Sequence, residues 1–185
     1  MVQPKAPSNP GRRKFLINAT SVVGAGAVAG AVVPFIGSWN PSAKAEAAGA
    51  PARADLSKLL PGEMMIVEWR GVPVYVVKHT QESMSVLNKN LSRLSDPDSL
   101  EDQQPDYARN ELRSRKKGIS VLTAVCTHLS CAPKFYPELG TTDFDTDWQG
   151  GFFCPCHGSK FDLVGRVYAG VPAPTNLPIP PHYFE

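Results

Sequence analysis

All four cysteines of the chain fall into two six-residue stretches, Cys126-Thr127-His128-Leu129-Ser130-Cys131 and Cys154-Pro155-Cys156-His157-Gly158-Ser159. Two of the four histidines fall in the same stretches. Cysteines that merely fill a core scatter among apolar neighbours; cysteines gathered with histidines mark a site. Each stretch follows a β-rich run, GISVLTAV over residues 118–125 and GFF over 151–153. The expected arrangement is a β scaffold whose strand-end loops carry the chemistry. Eighteen prolines and fifteen glycines suit a loop-rich β domain better than a helix bundle.

The scaffold reads as one domain with an appendage. Residues 63–69 and 72–78 are two β-rich runs flanking Arg70-Gly71, the pattern of a hairpin closed by a two-residue turn. Residues 163–168 suggest a further hairpin. Residues 81–117 are polar and partly helical in pattern, an excursion from the β scaffold. The basic run 113–117 reads most simply as a solvated surface, and the proline-rich stretch 171–181 as extended chain. His79 and His182 lie outside the clusters and receive no role.

The front end is of another kind. Residues 15–37, FLINATSVVGAGAVAGAVVPFIG, contain no charged side chain. As a helix they would span roughly 34 Å, about a bilayer core. Gly26 and Gly30 form a small-xxx-small pair that permits close helix approach. Gly24 and Gly26 are not a nucleotide fingerprint, because no strand precedes them. Lys5, Arg12, Arg13 and Lys14 come before the run, and Arg12-Arg13-Lys14-Phe15-Leu16 has the look of a twin-arginine export signal. The paired arginines bias this end to the cytoplasm. Ala43-Lys44-Ala45 has the form of a cleavage site but lies well past the apolar run, so a retained anchor is expected. Residues 38–54 have almost no large apolar side chains and cannot build a core. They form a tether in which the alanines let part become helical. The expected organisation is a cytoplasmic N-terminus over 1–14, a transmembrane anchor over 15–37, a flexible tether over 38–54 and a head over 55–185. A net charge of +2 gives no reason to expect a nucleic-acid partner.

Two cysteines and two histidines on paired loops admit three readings: a zinc site, an iron-sulfur cluster, or two disulfides with incidental histidines. Zinc accepts two Cys and two His but leaves two cysteines without a task. Two disulfides leave both histidines without one. A 2Fe-2S cluster held by one Cys and one His from each loop, with the remaining cysteines bridging the loops, gives every residue a role.

CTHLSC and CPCHGS resemble the two signature loops of Rieske proteins in quinol-oxidising cytochrome bc complexes. The likeness runs from the twin-arginine segment to Val171-Pro172-Ala173-Pro174. The resemblance implies an all-β head of stacked antiparallel sheets with a small cluster-binding subdomain and a partly helical insertion, behind an N-terminal transmembrane helix. It implies that Cys126 and Cys154 ligate one iron, His128 and His157 the other, and that Cys131 and Cys156 form a disulfide. It implies that Ser159 donates a hydrogen bond to a bridging sulfide, that Leu129 and residues 172–174 pack over the cluster, and that His157, then His128, contacts quinol. The sequence departs from the family at Phe161, where relatives often carry a tyrosine, and at Ser130, where a glycine is usual.

Charge explains why such a site accepts electrons readily. Four thiolates would leave the oxidised cluster a dianion; two thiolates with two neutral imidazoles leave it neutral, and so easier to reduce. A ring nitrogen turned away from iron also takes up a proton more readily once the iron is reduced. The expected function is electron transfer from quinol to a c-type cytochrome, as one subunit of a reductase that also contains cytochrome b. The resemblance implies a dimeric complex in a bacterial inner membrane with the head on the periplasmic side, a compartment that suits the disulfide. An exported subunit of a periplasmic oxidase such as arsenite oxidase, or a soluble Rieske carrier, is the competing expectation.

Overall fold

The structure is a computed structural model and describes residues 9–185. Lys5 and the rest of residues 1–8 lie outside the described residues. The chain divides into two compact units, residues 1–47 and 48–185.

The first unit is built on α1, Pro10–Gly37. Asn9 caps it by accepting the Arg12 N–H, and Pro10 occupies the first helical turn, where a missing N–H costs nothing. The helix is 28 residues long, about 42 Å. Its most apolar 18-residue window has a mean hydropathy of 1.8. Length and composition therefore suffice to cross a membrane. Thr20 donates its hydroxyl to the Leu16 and Ile17 carbonyls at 2.8 and 3.0 Å. That satisfies one of the polar groups that makes the run only mildly apolar. A short helix α2, Ala43–Ala48, follows, in the stretch where the alanines suggest partial helicity.

The second unit is the β head. Strands β1 (Met64–Trp69), β2 (Val72–Lys78) and β3 (Ile119–Thr123) form one antiparallel sheet. Strands β4 (Lys134–Gly140), β5 (Trp148–Cys154) and β6 (Ser159–Asp162) form another. The β1–β2 turn is the expected Arg70-Gly71 pair. Both residues have positive φ, 54° and 73°, as a tight two-residue hairpin turn requires.

Alternation along β2 sorts its side chains. Val74 and Val76 join Leu59, Ile119 and Val121 in an outer cluster, against which Leu56 and Phe184 pack. Tyr75 and Val77 turn the other way, to a core shared with Leu122, Ala124, Phe152, Phe161 and Leu177. This second core lies between the sheets and includes Cys126 and Cys154, so both Cys/His loops are rooted in it. Gly151 lets β5 and β6 approach closely: a Cβ there would collide with the Phe161 carbonyl.

Residues 81–117 contain a helix α3, Gln81–Val86, and two stretches of 3₁₀ helix, in keeping with a partly helical insertion. Three expectations change. The basic run is not uniformly solvated, because Arg113 is wholly buried. Its guanidinium donates to the carbonyls of Val164 and Leu177 and to the Gln104 side chain, at 2.9 to 3.1 Å. It thereby ties the insertion to the chain that follows β6. Burial pulls its pKa down to about 10, still charged at neutral pH. Second, the hairpin expected within 163–168 has its first arm earlier, in β6. Gly165 turns the chain, and Phe161 faces Val167 in a single bridge. Third, β4 was not anticipated; Pro137 interrupts its pattern and the register shifts between Tyr136 and Leu139.

Candidate metal centre

The first loop leaves β3 and closes on itself. The Cys126 N–H donates to the Cys131 carbonyl at 2.7 Å, and the Ser130 N–H donates to the Cys126 carbonyl at 3.0 Å. Ser130 reaches this geometry with φ +63°. The usual glycine is replaced, but the left-handed backbone that glycine favours is kept. The second loop is the tight connection between β5 and β6. Cys154 pairs with Ser159, and the Gly158 N–H donates back to the Cys154 carbonyl at 2.9 Å.

A disulfide joins Cys131 to Cys156 and so links the two loops. Cys126 and Cys154 remain free thiols, both buried. Burial pushes the Cys154 thiol above its ordinary value, and the adjacent Cys126 sulfur pushes the same way. A thiol pair held so favours deprotonation only when a cation sits between the sulfurs. The His128 and His157 rings meet edge to face with centroids 4.7 Å apart at 88°. His128 Nδ1 is buried and has no hydrogen-bond partner among the described residues, an orphaned lone pair of the kind that a metal satisfies. His157 is exposed on the tip of its loop. Two converging thiols, two converging imidazoles and an unpaired buried ring nitrogen fit a two-iron cluster with mixed ligation. Sulfur atoms of Cys131, Cys154 and Cys156 also lie within 4.8 Å of one another. Two of these are spent in the disulfide, so that trio is not itself a ligand set.

The remaining expected residues surround these groups. Ser159 is fully buried, and its Oγ accepts the Ala173 N–H at 3.0 Å, which leaves its own proton free to donate. Phe161 is fully buried in the shared core and offers no hydroxyl. Leu129 is 65% exposed, an apolar side chain presented on the surface beside the site. The 171–177 segment is held to the first loop by Thr127, whose hydroxyl donates to the Thr175 carbonyl at 2.7 Å. Sequence reasoning did not single out Thr127, Tyr75 or Arg113. Position between Cys126 and His128 was the one available signal for Thr127.

Comparison with known proteins bears on this geometry. Residues 101–181 match the Rieske [2Fe-2S] domain, and residues 3–42 match the family described as the Ubiquitinol-cytochrome C reductase Fe-S subunit TAT signal. The ubiquinol-cytochrome c reductase iron-sulfur subunit of Allochromatium vinosum is 53% identical over 176 residues, covering 95% of this chain and 85% of its own length. Its counterpart from Bradyrhizobium diazoefficiens is 40% identical over 184 residues, covering 100% and 95%. A chain of a solved hyperthermophilic respiratory Complex III shares the fold, with a TM-score of 0.50 at 24% identity over 92% of this chain and 96% of that one. The chain belongs to the family of ubiquinol-cytochrome c reductase iron-sulfur subunits.

Proposed function

We propose that this chain is the electron-transfer subunit of a respiratory quinol–cytochrome c oxidoreductase, with one 2Fe-2S cluster bound between its two Cys/His loops. The observation that carries the proposal is the convergence of the His128 and His157 rings beside two buried free thiols. Relatives alike across nearly their whole length favour this reading over an exported oxidase subunit or a soluble carrier.

Cys126 and Cys154, as thiolates, and His128 and His157, through ring nitrogens, would hold the cluster. When bound, the cluster supplies a one-electron acceptor whose potential is raised by neutral imidazole ligation. The protein does the rest. His157, exposed at the loop tip, would accept a hydrogen bond from quinol and take up its proton on a ring nitrogen. His128 is next in that role. Leu129 supplies an apolar contact beside it. Ser159, its Oγ already engaged by the Ala173 N–H, turns its proton toward the site. The Cys131–Cys156 bridge holds the loops in register.

The same reading assigns residues 15–37 to a membrane anchor, 38–54 to a tether and 55–185 to the head. It places the head on the periplasmic face of a bacterial inner membrane, with cytochrome b and a c-type cytochrome as partners in a dimeric complex. A tether lets the head move between a quinol site and its electron acceptor.

Low-temperature EPR of ascorbate-reduced membranes, with and without a quinol-site inhibitor, tests this. A Rieske spectrum that changes with inhibitor is expected. A spectrum indifferent to inhibitor, or confined to the soluble fraction, would assign the cluster to another oxidoreductase.

A further inference from the structure

Tyr75 stands in the middle of β2, opposite Ile66 on one side and Leu122 on the other. Strand alternation sends its ring into the core between the sheets, where it is 5% exposed. There it stacks on Phe152 of β5, with centroids 5.4 Å apart and planes within 3°. The hydroxyl reaches past this contact and donates to the Pro133 carbonyl at 2.6 Å. A buried phenol needs such a partner. The Pro133 carbonyl is free to serve, because the β4–β5 ladder begins only at Lys134.

Both contacts fall at the roots of the metal-ligating loops. Phe152 lies two residues before Cys154, and Pro133 two residues after Cys131. Cys131 in turn accepts the Cys126 N–H and is bonded to Cys156. A shift at Pro133 therefore moves the end of the first loop, and with it the hydrogen bond that seats Cys126. An apolar aromatic residue would have filled the core equally well; the hydroxyl adds a fixed point for the loop.

We infer that Tyr75 is a positioning residue for the metal centre, setting the first loop relative to the second through its hydrogen bond to Pro133. The inference rests on the reading of Cys126, His128, Cys154 and His157 as cluster ligands. It gives the first sheet a direct part in the site's geometry, where packing alone would make it only a platform.

Tyr75→Phe in the full chain, within its complex, separates the hydroxyl from the ring, because the stack on Phe152 survives. Two things are measured: the EPR line positions and widths of the reduced cluster, and the rate at which dithiothreitol reduces Cys131–Cys156. The expected result is shifted, broadened lines and reduction faster by about fivefold, the factor one ordinary hydrogen bond is worth. Val77→Ala, on the same face of the same strand and in the same core, loosens the packing without removing a hydrogen bond to Pro133 and serves as the control. An unchanged reduction rate in Tyr75→Phe overturns the inference. So does an equal acceleration in Val77→Ala. Wild-type protein without a Rieske spectrum would instead overturn the cluster assignment, while the reduction rates would still report on the Tyr75–Pro133 link.

Discussion

Asp145 and Lys160 form an ion pair of 2.8 Å that fastens the β4–β5 connection to β6, and Arg93 completes it with a 2.6 Å contact to the same carboxylate oxygen. Burial pushes the Asp145 carboxyl up, but the hydrogen bonds from Arg93 and Lys160 outweigh it and hold its pKa at about 2. The unfolded chain protonates this group near pH 4. The stabilisation is therefore complete at neutral pH and is lost as pH falls from about 4 through about 2. Asp145→Asn should cost about 2 kcal/mol at pH 7. The difference from wild type should vanish in the most acidic unfolding curves, followed by circular dichroism.

The disulfide closes a loop with a sequence separation of 25 residues, and a cross-link of that span is worth about 3 kcal/mol. Cys156→Ser should leave the sheets folded but free the loop tips. The expected outcome is loss of most of the cluster signal at growth temperature, read by EPR and iron content. Full retention would show that the loops hold themselves together by hydrogen bonds alone.

Phe161 is fully buried, at the position where the Rieske resemblance leads one to expect a tyrosine. One restored hydrogen bond to a ligand sulfur, about 1 kcal/mol in favour of the reduced site, corresponds to about 40 mV for a one-electron couple. Phe161→Tyr should raise the midpoint potential by that order in a redox titration. An unchanged or lowered value would mean that the hydroxyl does not reach the sulfur.

Ser130 holds a left-handed backbone, φ +63°, on an exposed turn. For a residue with a Cβ this conformation costs about 1 kcal/mol. Ser130→Gly should therefore stabilise the first loop by up to about 1 kcal/mol. The gain would appear as a higher temperature for loss of visible absorbance, with no change in the ligand-sensitive EPR lines.

Much of the site was legible because metal chemistry dictates residue type and spacing. Cys-x-His alone is a weak signal, but paired with Cys-Pro-Cys-His it points to a candidate site, and Arg70-Gly71 between two β-rich runs announces its turn. What escaped notice depends on contacts made across the fold. Arg113 belongs to a basic run that looks solvated, and the carbonyls of Val164 and Leu177, distant in sequence, together with the Gln104 side chain make its burial tolerable. Tyr75 reads as one more aromatic residue in a strand, since nothing local shows that a proline carbonyl waits at the end of its ring. Pro137 hid β4 by breaking the alternation on which strand recognition depends. Ser130 stands out in the sequence only as a departure from glycine, because residue identity does not reveal which backbone conformation the surrounding turn will enforce.

The proximity of three sulfurs gives the disulfide a second consequence. With the sulfurs of Cys131, Cys154 and Cys156 within 4.8 Å of one another, a fully reduced protein would offer a metal ion three neighbouring thiols, of which the proposed assignment uses only Cys154. Oxidising the other two withdraws them from competition. The bond thus narrows the thiol inventory: one free cysteine is left on each loop, Cys126 and Cys154.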